Sequence, residues 1–290
     1  IFLFFCFFSS LSDAGVHDEQ KSFIYLYFLS GFNESAVLTT DGRGDNETGT
    51  WGMANGDGIK IFQSSQWPHS LGLFYSAITQ FLGFEPHSDE WKVMALAAYG
   101  DRDSKYYKLL NALIKSKDRG LYEIDLSFFT YYFFDRQPRF YANKLSTILG
   151  HERKKNEPIE DRHRDIAAAL QRIFEETCFR MLDYLVEISG SKNLCFAGGS
   201  AMNSVFNGKI LKETPFDDIF IPPFPDDSGV SIGAAVLEYQ RLSSKPLKTK
   251  LRHNYFGPAF LSEDIGSLIK SYGLNAKRIE NIEEIAAQKL

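Results

Sequence analysis

The sequence predicts an α/β protein. Three observations carry that reading. Residues 35–45, Ser-Ala-Val-Leu-Thr-Thr-Asp-Gly-Arg-Gly-Asp, are a β-branched run that ends in an acidic, glycine-rich turn. Residues 193–208 pass from the apolar run Asn193–Ala197 through Gly198-Gly199 into a helical segment. Residues 222–236 pass from an acidic turn, Asp226-Asp227-Ser228-Gly229, into a helix opened by small residues. Strands that alternate with helices in this way belong to the α/β class.

In chain order, residues 36–65 read as three antiparallel strands. Asn55-Gly56 is the hairpin signal between the last two, because both central residues of a tight hairpin turn need positive φ. Residues 70–83 read as a helix with Ser70 as N-cap and Gly83 just past its end. Leu71, Phe74, Ile78 and Phe81 fall at its helical spacing. Residues 89–100 form a second helix, acidic at its start and ended by Gly100. Leu126 to Phe134 is aromatic and strand-like or loop-like, and residues 151–160 form a charged connector. Asp161 to Ser189 is a long helix with Ile166, Ala169, Leu170, Ile173, Phe174, Thr177, Met181, Leu182 and Leu185 on one face. Residues 243–255 read as a linker, followed by short helical patterns at 263–272 and 282–290.

Composition is that of an ordinary globular protein: 290 residues, 44% hydrophobic, 24% charged. The net charge of −5 gives no overall basic footprint for nucleic acid. Ile1 to Phe8 is apolar but too short to span a bilayer, so no membrane partner is expected. Cys6, Cys178 and Cys195 have no paired spacing. Cys178 and Cys195 read as reduced, buried thiols, which points to a cytoplasmic protein.

Glycine pairs at strand-to-helix bends let a backbone approach an anion, and helix N-termini attract one. Taken alone, Gly198-Gly199 reads as a plain tight turn; two such junctions about 30 residues apart point toward a nucleotide site. Asp41 and Asp227 stand where a strand gives way to a glycine-rich turn. Carboxylates so placed serve as hard oxygen ligands for a divalent cation, or as turn and helix caps. The histidines, His17, His69, His87, His151, His163 and His253, show no i, i+4 pair and read as surface or core residues. No nucleophile elbow, P-loop or dinucleotide fingerprint is present.

Several segments, in order, resemble the O-carbamoyltransferases of nodulation-factor and antibiotic biosynthesis, the NodU/CmcH family. They are residues 36–45, 70–84, 89–100, 162–171, 197–208, 227–235 and Tyr255-Phe-Gly-Pro258, and the resemblance spans roughly residues 23–260. It implies an actin-like, sugar-kinase-type ATPase fold of two lobes. It implies ATP-dependent transfer of a carbamoyl group from carbamoyl phosphate, through a carbamoyl-adenylate, to a small-molecule hydroxyl acceptor. By position, Asp41 and Asp227 match metal-binding aspartates, with Fe²⁺ foremost and Mn²⁺ or Mg²⁺ as alternatives. The resemblance implies ATP or carbamoyl-adenylate contacts at Gly198, Gly199, Asn203, Gly229 and Lys92: the first three match the adenosine-side loop, Gly229 lies in the matching acidic turn, and Lys92 matches a structural or phosphate-facing position. No residue is assigned as catalytic.

The sequence departs from this family in three places. The first-lobe strand pair is missing, and Ser22 stands where the nearer histidine of an HxxxH metal motif belongs. Residues 1–22 fit the family poorly, residues 23–242 fit its ATPase domain, and residues 243–290 read as a linker and the start of a truncated YrdC-like domain. The arginine-rich motif that handles carbamoyl phosphate would lie beyond Leu290. The expectation is a domain inactive by itself in carbamoyl transfer. A catalytically dead nucleotide-binding module and a small-molecule kinase of the same superfold are the competing readings.

Overall fold

A computed structural model of the chain describes residues 26–44, 46–56, 58–136, 138–243, 249–255 and 257–290. The expected ill-fitting segment 1–22, with Cys6, His17 and Ser22, lies outside the described residues. The chain divides into two compact units, with the boundary between Leu251 and Arg252.

The first unit is built on a five-stranded sheet of β1 (Ser35–Thr40), β2 (Glu47–Asn55), β3 (Gly58–Gln66), β6 (Asn193–Ala197) and β7 (Asp218–Phe220), in the order β3-β2-β1-β6-β7. The three expected antiparallel strands are there. β1 pairs antiparallel with β2, and β2 with β3, but the turn lies one residue later than Asn55-Gly56 predicts: Asn55 ends β2 paired with Gly58, and the turn follows at Gly56. The later strands join the same sheet. β1 lies parallel to β6 with Val37 opposite Cys195, and β6 lies parallel to β7. Every residue of β1 is buried, as expected of a central strand covered on both faces.

Helices α1 (Leu71–Phe81), α2 (Glu90–Leu96), α3 (Lys105–Asn111), α4 (Asn143–Leu149) and α5 (Asp161–Ser189) contribute to the larger hydrophobic core. The Ser70 side chain accepts from the Leu73 amide at 3.0 Å, which caps α1 as expected. Gly83 follows with φ of 76°, the left-handed position that ends many helices. All nine residues expected on the inner face of α5 are buried. Phe174 and Phe206 meet edge to face at 5.8 Å, and Phe196 and Phe206 at 5.9 Å, so the long helix, the sheet and α6 (Ser204–Glu213) share one aromatic core. Cys178 and Cys195 are buried free thiols, and burial pushes the Cys195 thiol up to about 12.

The aromatic stretch 126–134 is neither strand nor plain loop. It makes 3₁₀ turns at Leu126–Phe128 and Tyr131–Arg136. Asp125 caps the first by accepting from the Ser127 amide at 3.0 Å, and this local bond competes with strand pairing. Phe129 makes one isolated bridge to Tyr141 and packs on Phe74 at 5.4 Å. Nearby, β4 (Ile114–Ser116) and β5 (Tyr122–Ile124) form a small hairpin.

The last helix of the first unit is α7 (Val230–Ser243). In the stretch expected to be a linker, the Thr249 and Leu251 amides donate to the Phe28 and Leu29 carbonyls, so these residues are held by the helical turn at 26–30. The second unit holds α8 (Ser262–Ser271) and α9 (Ile282–Lys289), near the two short helices expected there. Among the described residues, no helix is long and apolar enough to cross a membrane.

Candidate active site

β1, β6 and β7 run in one direction, so the loops that leave their C-terminal ends emerge on the same edge of the sheet. In open α/β sheets ligands bind at this edge. The first loop begins with Asp41, the second with Gly198-Gly199, and the third leads to Asp226-Asp227. Together with α1, the 87–94 segment and Asn203 they line a cleft of about 430 Å³. That volume falls in the range of small-molecule sites, about 300–1,000 Å³.

The glycines are there because backbone must pass close to backbone. Gly198 has φ of 90°, and its amide donates to the Pro225 carbonyl at 2.6 Å, which ties the second loop to the third. A β-carbon at Gly198 would lie 2.1 Å from the Thr40 carbonyl oxygen. A β-carbon at Gly199 would lie 3.0 Å from Asp41 Oδ1. A side chain at Gly198 would therefore overlap the β1 backbone, and one at Gly199 would press on the Asp41 carboxylate.

Asp41 is the electrostatic centre of this end. Burial pushes its carboxyl up to about 6, and the charges of Asp227 and Asp226 push the same way. Amide hydrogen bonds from Gly42, at 2.6 Å, and Gly199 act against that rise. Asp226 is the N-cap of a 3₁₀ turn at Asp227–Gly229 and accepts from the Ser228 amide at 3.2 Å. A second small cavity, of about 30 Å³, shares Asp41, Asp226 and Asp227 and includes Gly198. Carboxylate oxygens are the donors that Mg²⁺, Mn²⁺ and Fe²⁺ accept. Yet among the described residues no group of three histidine, cysteine, aspartate or glutamate side chains is arranged to hold an ion. In their chemistry these aspartates suit part of a metal site.

The helical wall is more apolar. Tyr75, Trp91, Met94, Phe174 and Met202 line it with Ser76, His87 and Glu90. Glu90 Oε1 accepts from Ser76 Oγ at 2.6 Å and from the His87 amide at 2.7 Å, fixing the turn before α2. His87 itself has φ of 62°. Trp91 and Met202 are each 60% exposed, although both are large apolar side chains in a folded unit. Asn203 caps α6 by accepting from the Phe206 amide at 3.0 Å.

Of the residues singled out in the sequence, Asp41, Asp227, Gly199 and Asn203 come together in the main cleft, and Gly198 lines the adjoining cavity. Gly229 is buried in the 3₁₀ turn beside Asp227 and lines neither. Lys92 does not line the cleft. Its Nζ pairs with Asp89 at 2.7 Å and sits 5.4 Å from the Trp91 ring. His69 and His163 have structural tasks. His69 Nδ1 accepts from the Ile124 amide, and His163 Nδ1 accepts from the Glu160 amide at the start of α5. The sequence reading gave no role to His87, Glu90, Trp91 or Met202. The acidic start of α2 was its signal for Glu90, but nothing local marks Met202 as cleft-facing.

The family model described as "Carbamoyltransferase N-terminus" matches residues 19–236. The chain is 35% identical over 258 residues to an uncharacterized protein of Synechocystis, covering 86% of this chain and 41% of that protein. It is 35% identical over 247 residues to nodulation protein NolNO of Sinorhizobium fredii, with 83% and 32% covered. It is 34% identical over 273 residues to nodulation protein NolO of Bradyrhizobium diazoefficiens, with 93% and 46% covered. The chain spans less than half the length of these relatives.

Proposed function

The chain belongs to the carbamoyltransferase family, and from that premise we propose that its cleft is the nucleotide side of an ATP-dependent O-carbamoyltransferase. The proposed reaction of the whole protein moves the carbamoyl group of carbamoyl phosphate, through a carbamoyl-adenylate, to a hydroxyl acceptor. The proposed fold is the actin-like ATPase fold, to which the mixed sheet and its helical layers are suited. The observation that supports the reading best is the meeting of three loops, from β1, β6 and β7, at one end of one cleft.

Each loop has a separate task in this reading. Gly198 and Gly199 bring backbone close to the ligand without side-chain obstruction. The N-terminal end of α6 offers a partial positive charge to phosphate oxygens. Asp41 and Asp227 would hold a divalent cation. Its chemistry would be to neutralise charge on phosphate and polarise its oxygens. The electrostatics require some such counter-charge, because Asp41, Asp226 and Asp227 would otherwise repel a polyphosphate at this end of the cleft. The exposed faces of Trp91 and Met202 supply apolar contact for the base or the acceptor.

Titration of the 290-residue chain with ATP, with and without Mn²⁺, tests the proposal through the thermal midpoint. A ligand at a hundred times its Kd stabilises by about 2.7 kcal/mol. We expect a rise that depends on the cation and disappears in Asp227→Asn. A rise that ignores the cation and survives Asp227→Asn favours a nucleotide-binding module without metal chemistry. A flat response to ATP under all conditions overturns the nucleotide reading.

A further inference from the structure

Behind Asn203 lies a chain of buried polar groups that the proposed reaction does not use. Gln171, on α5, is 4% exposed, Glu175 is 3% exposed and Tyr75 is 5% exposed. Gln171 Nε2 donates to Glu175 Oε1 at 3.0 Å and to Asn203 Oδ1 at 3.0 Å. Gln171 Oε1 accepts from Tyr75 Oη at 3.1 Å and from Asn203 Nδ2 at 2.9 Å. Lys209 and Arg102 pair with Glu175 at 2.6 and 2.7 Å.

The orientation of both amides follows from the ends of this chain. The Glu175 carboxylate only accepts, so the nitrogen of Gln171 must face it. The oxygen of Gln171 then faces Tyr75 and the Asn203 amide nitrogen. Asn203 is fixed a second time, because its oxygen must also cap the Phe206 amide. A flip of either side chain would set oxygen against oxygen, or leave the buried amide of Phe206 unsatisfied. Every hydrogen-bonding atom of the Gln171 amide is used. Asn203 Oδ1 is used twice, and one of its two Nδ2 hydrogens is used. What Asn203 retains for the cleft that it lines is a single N–H.

We propose that Gln171 is a positioning residue that locks Asn203 as a pure hydrogen-bond donor, so that the ligand atom meeting Asn203 is an acceptor such as a hydroxyl, carbonyl or phosphate oxygen or a ring nitrogen. A ligand that offers only a donor at that point is rejected, since it would face an N–H with an N–H. The nucleotide reading enters only through the identity of the probe. The locked geometry belongs to the ligand-free protein.

The test is side-chain amide NMR on the ¹⁵N-labelled chain, read before and after addition of ATP with Mg²⁺. Before addition, the two Nδ2 protons of Asn203 are expected to exchange with solvent at different rates, the one bonded to Gln171 being slower. In Gln171→Met this asymmetry is lost, and ATP binding weakens by about tenfold, the size of one hydrogen bond to a positioned donor. On ATP addition to the unaltered chain, the faster proton shifts. Equal exchange of the two protons in the unaltered chain overturns the lock, whether or not Gln171→Met folds. Asymmetry that persists in Gln171→Met overturns the role of Gln171. Binding of ATP without a shift of the Asn203 proton overturns the donor assignment. Absence of any ATP binding removes the nucleotide reading, while the exchange rates still decide the lock.

Discussion

Asp41, Asp226 and Asp227 crowd like charges at the loop-built end of the cleft, whereas Tyr75, Gln171, Glu175 and Asn203 match donor to acceptor along its helical wall. At the loop end, burial and the neighbouring aspartates push Asp41 up to about 6. At the wall, Lys209 and Arg102 balance Glu175, and Gln171 has a partner for every polar atom. The difference teaches which end awaits something from outside. Crowded carboxylates are relieved by a cation, which is the part that the proposed function gives this end of the cleft. A wall whose groups already satisfy one another has little to reorganise and can present a fixed donor.

The sharpest way to break this contrast is Gly198→Ala. The residue has φ of 90°, and the added β-carbon would press on the Thr40 carbonyl, so the loop must move away from β1. We expect a loss of about 3 kcal/mol, from left-handed strain and backbone overlap together. In a unit of this size that lowers the thermal midpoint by about 6–12 °C. An unchanged midpoint would mean that the loop does not pass against Thr40 as described.

Asp41→Asn comes next, and its sign is opposite. The carboxyl titrates near its usual value of 3.8 in the unfolded chain and near 6 in the folded one. The folded state therefore holds the proton more tightly, and this contribution to stability is complete below pH 4. It is lost as the pH rises through 6. Asparagine keeps the acceptor for the Gly42 amide and carries no charge. At pH 7 without added cation, Asp41→Asn should be more stable by about 1–3 kcal/mol, and its stability should lose the fall between pH 4 and 6. Denaturant unfolding at a series of pH values measures both. A parallel pH profile for the two proteins would show that Asp41 is not the strained group.

Much of this architecture was legible in the residues, and the limits have physical causes. The face of α5 was readable because nine apolar or small side chains repeat at helical spacing and all are buried. The Gly198-Gly199 bend and the acidic turn were readable because backbone geometry restricts which residue can stand there. The hairpin β4–β5 was missed because strands of three residues are too short to show a period. The pairing of β1 with β6 was missed because parallel register is set by packing between distant segments. In the site, the aspartates and glycines announced themselves through local turn chemistry. Gln171 did not, since it lies on the same α5 surface as the core and nothing in its neighbours distinguishes a polar anchor from a helix-forming filler. Tyr75, Trp91 and Met202 were equally silent, because a residue facing a cleft and one facing a core have the same helical spacing.

Lys92 carries the smallest expected effect and sharpens the contrast from outside the cleft. The resemblance assigned it a structural or phosphate-facing position, and a cation near the phosphates would relieve the acidic end. Its Nζ instead holds Asp89, and the bond from Lys92 is the main cause that lowers the Asp89 carboxyl. The same ammonium lies over the exposed Trp91 ring. A partly exposed pair of this kind is screened by water and salt, so Lys92→Ala should leave the melting curve nearly unchanged. If Lys92 acts only there, ATP affinity in Lys92→Ala stays within about twofold of the unaltered chain, as for other surface substitutions. A loss as large as that expected for Gln171→Met, with a weaker dependence of binding on salt, would instead bring Lys92 to the phosphates and require its side chain to leave Asp89 on binding. Measuring the affinity at low and high salt separates the two, because a direct ammonium–phosphate contact weakens with added salt whereas the donor held by Gln171 does so far less.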